Sequence, residues 1–388
     1  MTDLSRAYKL VELTHTLLHC ADETESLKLD ATLDDMVDEM LDKREDTTLD
    51  LALESADDED VFLGLSERVE WNSQHVNVAD EDGSRKLRSL FVVPVSAVSN
   101  GLHPFAADLG EGQDWAEFVA SFSAKGIAGP TARVLVNPYL YHPAELSHLD
   151  YSHVTYLGDA LFGKLVQQAQ IPASGLAQTG WPADENKDGK LVCELRYLVG
   201  CVIDEPEQTL KFTQPTEEGE EASDAFFSRG RDWAADVTAC MARMLGLEDD
   251  AVLVVMPMAF HQGFRQGLLT NIEVSMRGNI ETTLAERKLS PRGVKAVLAP
   301  FGEEGELSDY RISLLSMLDG ELIGGVQYHP YGFMTLDDHL DFLKQTLTSL
   351  GISVIEVVDD IQEGEGYFVP EQNIDPYAGS AFPGQFKQ

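Results

Sequence analysis

Positive charge is what this chain has least of. Its 28 lysines and arginines stand against 67 aspartates and glutamates, a formal net charge of −39. Nucleic-acid affinity rests mainly on cations meeting phosphate, so direct binding to DNA, RNA or an anionic membrane surface is not expected. What the balance favours is a solvated acidic surface, open to a basic protein partner. Cysteine is scarce as well. Cys20, Cys193, Cys201 and Cys240 form no Cys-x-x-Cys pair and no pair flanked by histidine. They are expected as reduced, mostly buried thiols, which argues against a zinc site or a disulfide framework. No apolar run approaches the roughly 18 residues of a membrane-spanning helix. The opening Met1-Thr2-Asp3-Leu4-Ser5-Arg6 lacks the cationic start and apolar core of a secretory signal. A cytoplasmic protein is expected on both grounds. Signature loops are missing too: no glycine-rich phosphate loop, no Gly-x-Ser-x-Gly and no His-Glu-x-x-His. Neither a cofactor nor a metal is expected.

What is present is patterned. At 388 residues the chain exceeds the size at which a single core stops growing, so two or three domains are expected. Apolar residues recur at helical spacing at Leu4, Ala7 and Val11, and again at Leu33, Val37, Met40 and Leu41, with aspartates and glutamates between them. Thr48 reads as an N-cap ahead of Leu49 to Glu54, and the acids from Asp57 to Asp60 either break a helix or open one. Asn77 to Lys86 reads as a linker. From Ser89 the period changes. Leu90 to Val95 is strand-like, with Pro94 demoting it to an edge or a bulge. Leu191 to Ile203 is a continuous apolar strand. Asp319-Gly320, between Asp309 to Leu318 and Glu321 to Tyr328, is the strongest short hairpin signal.

Two stretches echo each other: Val134-Leu135-Val136-Asn137-Pro138-Tyr139-Leu140-Tyr141-His142 and Val252-Leu253-Val254-Val255-Met256-Pro257-Met258-Ala259-Phe260-His261. Each runs from β-branched residues through a proline to an aromatic and a histidine, then into a helix-like segment. They suggest an internal duplication. The expected fold is α+β: an acidic helical domain over 1–85, then two related α/β lobes with mixed or antiparallel sheets, over 86–204 and 225–360. An acidic connector at 205–224 divides the lobes, and a loosely ordered tail follows at 361–388.

The segments Glu194-Leu195-Arg196-Tyr197-Leu198-Val199-Gly200, Val297-Leu298-Ala299-Pro300-Phe301 with Asp309-Tyr310-Arg311-Ile312-Ser313, and Thr48-Leu49-Asp50-Leu51-Ala52-Leu53-Glu54 stand in an order that matters. From about Leu49 to Asp359 the chain resembles a betaproteobacterial family of uncharacterised proteins, domain of unknown function family 2863. Members often carry a Cys-x-x-Cys pair near the C-terminus. Here no cysteine follows Val358, so the resemblance implies no metal site. It supports the architecture and transfers no activity.

Candidate chemistry is thin. His142 and His261 end the echo strands, where a near-neutral side chain suits acid–base work or caps exposed backbone. Arg265, four residues past His261, and Arg311 complete a possible ligand site between the lobes. Asp184-Glu185-Asn186-Lys187-Asp188-Gly189 opens like a calcium loop, but Leu195 stands where the bidentate glutamate belongs. His148, Asp150 and His153 have no second ligating element. Glu217, Glu218, Glu220 and Glu221, at the centre of the connector, are the candidate partner-binding residues. Two function classes follow. The first is a non-catalytic scaffold, adaptor or regulator acting through its acidic surface, with self-association open. The second is an enzyme or small-molecule sensor with its ligand between the lobes. The residues lean away from an enzyme.

Overall fold

The computed structural model describes residues 3–79, 85–100, 109, 112–167, 191–205, 220–247, 251–303, 306–330, 336–358, 361–362, 373–374 and 380–381. Four helices come first: α1 (Asp3–Leu18), α2 (Glu23–Asp42), α3 (Asp46–Glu54) and α4 (Glu59–Gln74). The helical stripes meet in a core of their own, in which Ala7, Leu10, Leu33, Val37, Leu49 and Leu65 are buried. The acids at 57–60 open a helix: Asp58 caps α4, its carboxylate accepting from the N–H groups of Asp60 and Val61. Thr48 is not a cap. It lies buried inside α3, whose N-cap is Glu45.

The expected linker at 77–86 is also different. Strand β1 (His75–Ala79) leaves α4 directly and pairs antiparallel with β2 (Arg85–Asn100). β2 is central to its sheet. It pairs along its length with β4 (Leu191–Asp204), and β3 (Arg133–Tyr141) lies outside β4. On the other side of β2 lie β5 (Ala251–Val254) and β6 (Met258–Ala259). Pro94 is tolerated inside because its carbonyl accepts from Val255. Its missing N–H therefore points at the gap where β5 gives way to β6.

These pairings correct the two-lobe boundary. β5 and β6 follow the acidic connector in sequence yet add to the sheet begun by β2. Helices from both sides of the connector also share one face. α5 (Gln113–Ala124) and α8 (Glu220–Leu245) bring Phe118, Phe122, Trp233 and Val237 onto Phe91 and Val93. The two echo strands take opposite edges, β3 beside β4 and β5–β6 beside β2. In each, the ladder is interrupted around the proline, between Val136 and Leu140 and between Val254 and Met258.

The opposite face carries α6 (Pro143–Ser147), α7 (Tyr151–Gln167) and α9 (Phe260–Arg287). α9 lies close to β2 and β4 because of two glycines. A Cβ at Gly267 would fall 2.6 Å from the Tyr197 ring, and one at Gly263 would fall 2.6 Å from Val92. A second sheet packs on α9 in turn: β7 (Val294–Glu303), β8 (Glu306–Ser316), β9 (Leu322–Tyr328) and β10 (Val354–Val357), the last parallel to β7. Leu268, Ile272, Met276 and Ile280 of α9 join Tyr197 and Ile312 in one cluster that spans both sheets. The β8–β9 hairpin turns at Gly320, with φ of 75°. α10 (Leu336–Ser349) buries Leu343 and Leu347 and stops before Gly351, whose φ of 86° suits a residue without a Cβ. Two-residue strands, β11 (Asn373–Ile374) and β12 (Ser380–Ala381), add to β9 and β4. The fold is α+β with two sheets, one antiparallel and one mixed.

Candidate functional site

α4 ends in a run of polar residues, Asn72-Ser73-Gln74-His75, that ought to face water and does not. Their exposures are 7, 0, 6 and 6 %. They are buried because α4 runs straight into β1 and abuts the start of α9. The first turn of any helix leaves N–H groups without intrahelical partners. Here Gln74 Oε1 accepts from the His261 N–H at 3.1 Å. Ser73 Oγ meets His261 Nε2 at 2.9 Å, and the Ser73 carbonyl accepts from Thr155 of α7 at 3.0 Å. One turn earlier, Arg265 donates through both terminal nitrogens to Glu70, at 2.5 and 2.7 Å, in a bidentate pair. The end of α4 is thus fastened to α7 and to α9 by hydrogen bonds and an ion pair.

The network continues inward. The Trp71 ring lies 4.0 Å from that of His75, whose Nδ1 meets Ser89 Oγ at 2.7 Å. The fully buried Arg88 pairs with Asp159 of α7, and its guanidinium occupies the space that a Cβ at Gly158 would take. Burial pushes the His75 imidazole down to about 3, helped by the charges of Arg88 and His261. His261 is pushed down to about 4, by burial and by Arg265 against the opposing pull of Glu70. Both rings are neutral at physiological pH. Arg265 is raised: burial would lower it, and its bond and charge contact with Glu70 outweigh that.

A crevice of about 870 Å³ opens beside this seam. Asp50, Glu59, Glu67, Glu70, Asp150 and Asp338 line it, and Arg265 is its only lysine or arginine among the described residues. Apolar groups make up the rest of the wall, chiefly Leu53, Phe62, Leu63, Leu149 and Phe264, together with Tyr151 and His261. Burial, then Asp150, Asp46 and Glu54, holds the Asp50 carboxyl above the usual carboxylate range. Tyr151 is pushed up to about 12, by burial first and by Glu70 and Asp50 next. A second hollow, about 520 Å³, lies across the Glu70–Arg265 pair, and Asp30, Asp34 and Arg68 line it.

Of the four residues expected to form a ligand site, His261 and Arg265 meet at the crevice. His142 and Arg311 do not line it. His142 is the N-cap of α6: its Nδ1 accepts from Ala144 N–H at 3.0 Å, and Glu145 Oε2 accepts from its own N–H at 2.7 Å. Arg311 belongs to the second sheet, 3.8 Å over the Phe301 ring and 3.0 Å from Asp309. The two histidines are therefore not equivalent, one being a cap and the other the second residue of α9. Glu217 and Glu218 lie outside the described residues, as do the side chains of Glu220 and Glu221 at the start of α8. So does the segment from Asp184 to Gly189. Asp150 and His153 pair at 3.2 Å, and among the described residues no three His, Cys, Asp or Glu side chains are grouped to hold a metal ion. Cys193 and Cys201 are buried, with their thiols pushed up to about 12 by burial.

Glu70, Ser73, Gln74, His75 and Tyr151 were not among the sequence candidates. A signal was present: the buried stripe Val61, Leu65, Val69 continues in helical register into Asn72 and Ser73, where it turns polar.

The model of the family described as "Protein of unknown function (DUF2863)" matches residues 2–363. No curated protein and no solved structure matches the chain. The chain belongs to that family, as the resemblance of its segments implied.

Proposed function

We propose that this member of the family is a non-catalytic scaffold, adaptor or regulator that receives a basic protein partner on its acidic surface. The observation that carries the reading is the crevice, where six carboxylates stand around one arginine that already serves Glu70. His261 and Arg265, which a catalytic reading needs, are engaged in fastening α4 to α9. The connector sequence carries further carboxylates, Glu217, Glu218, Glu220 and Glu221, which are assigned to attracting the partner. Charge of this sign speaks against direct contact with nucleic acid or an anionic membrane. Among the described residues no helix is long and apolar enough to cross a membrane, which fits work in the cytoplasm. The shared order of strand and helix on the two sides of the β2–β4 pair supports an internal duplication of that sheet. A second reading, a sensor of a small molecule, draws on the size of the crevice and on Tyr151 and His261 in its wall.

The test is to recover the partner from the native cell and titrate the purified pair over a range of salt. Association should weaken steadily as salt rises, because the Debye length shrinks from about 10 Å at 0.1 M to about 3 Å at 1 M. Neutralising the four connector glutamates together should slow association several-fold, in the manner of steering charges, and leave the melting temperature unchanged. A salt-independent affinity, or tight binding to an oligonucleotide at moderate salt, would remove the reading.

A further inference from the structure

We propose that the crevice between α3–α4 and the first turns of α7 and α9 docks an amphipathic cationic segment of the partner, one that presents arginine or lysine beside large apolar side chains. The proposal rests on the partner-binding reading above and gives it an address and a chemistry.

Two independent features of the crevice select that chemistry. The first is apolar. α4 buries Val61, Leu65 and Val69 inward, yet on its other face it leaves Phe62 41 % and Leu63 48 % exposed, both lining the crevice. Large apolar side chains that are adjacent and share a concave wall with Leu53 and Phe264 make a patch for a partner to cover. The second is electrostatic. The carboxylates come from all sides, Asp50 from α3, Glu59 and Glu67 from α4, Asp150 from the start of α7 and Asp338 from α10. They are close enough to raise the Asp50 carboxyl, in part through Asp150, so an incoming cation relieves an existing repulsion. They are also spread out. Among the described residues they do not converge into a metal-holding group, so the rim suits positive charges spaced along a chain better than one ion. The Tyr151 and Phe264 rings offer aromatic surface to a guanidinium. An all-cationic partner would leave Phe62 and Leu63 in water, and an apolar one would bury the carboxylates without a counter-charge.

The test uses the full-length chain and a fluorescein-labelled peptide of about ten residues that mixes arginine and leucine at helical spacing, read by anisotropy at about 0.15 M salt. Saturable binding is expected. D50N/E67Q/D150N should weaken it about tenfold or more, and F62S/L63S about fivefold or more. The control E12Q/E25Q/D35N makes the same change of charge on exposed positions of α1 and α2, and should alter binding less than about twofold. All eight residues are exposed, so the variants should keep the parent melting curve. Equal loss in the control would overturn the crevice proposal while leaving the acidic-surface reading standing. So would equally tight binding of a peptide with leucine replaced by glutamine. No binding to any of the proteins would overturn both.

Discussion

Lowering the pH from 7 towards 4.5 should destabilise this protein steeply through two buried histidines. His75 and His261 titrate in the folded chain at about 3 and about 4, against 6.5 when freely solvated. Both values are depressed, so the stability each confers is complete above 6.5 and is lost as the pH falls through the folded value. Near pH 5 the unfolded chain binds almost two more protons than the folded one at these positions. The slope is then up to about 2.7 kcal/mol per pH unit, and the loss by pH 4.5 is on the order of 4 kcal/mol. His75, only 6 % exposed, supplies the larger share, and His261 at the crevice wall the smaller. The groups facing them are Arg88 and Arg265, which disfavour an added proton, and Glu70, which favours one at His261. Urea midpoints at pH 7, 6 and 5 would measure the slope. A His75→Gln/His261→Gln variant should flatten it. A parent protein as stable at pH 5 as at pH 7 would show that neither ring is held neutral.

Trp233→Ala should cost about 3–5 kcal/mol, the range for deleting a buried indole. Trp233 is fully buried, with the Phe122 ring at 5.0 Å and the Phe118 ring at 5.8 Å, and its Nε1–H donates to Ser121 Oγ at 2.8 Å. Trp233→Phe keeps most of the apolar contact and loses that bond, so it should cost about 1–2 kcal/mol. The pair of variants also tests the topology. Trp233 sits on α8, after the connector, and its neighbours sit on α5, before it. Because the two helices cover one sheet, denaturation of the body should remain one cooperative transition, shifted as a whole. A variant in which residues 225–360 melted while 86–204 stayed folded would restore the two-lobe picture.

The sequence carried the local elements well and their assembly poorly. The stripes of α1 and α2 and the hairpin at Asp319-Gly320 were legible, because periodicity and a positive-φ glycine act within a few residues. The partner of β5 was not. Val254 pairs with Val95, on the far side of the connector, and nothing in a four-residue apolar strand names its neighbour. Of the edge or bulge expected at Pro94, the edge was wrong for a related reason. A proline argues for an edge, and only the interrupted ladder beside it shows how a central strand can hold one. The site was half legible. His261 and Arg265 stood out as ionisable groups after a strand, whereas Ser73, Gln74 and His75 looked like an ordinary polar helix end. Their role depends on a helix nearly two hundred residues later, and His142, identical in its spacing from proline, turned out to be a cap.

A cationic segment should land in the crevice beside the α4–α9 seam. Amide hydrogen exchange of the full-length chain, with and without a saturating amount of the arginine–leucine peptide, measures this directly. Slowed exchange is expected in α4 over 59–70, at the beginning of α7 and in the first turns of α9, with the β8–β9 hairpin and α1 unchanged. Protection elsewhere on the acidic surface, or none at saturation, would contradict it.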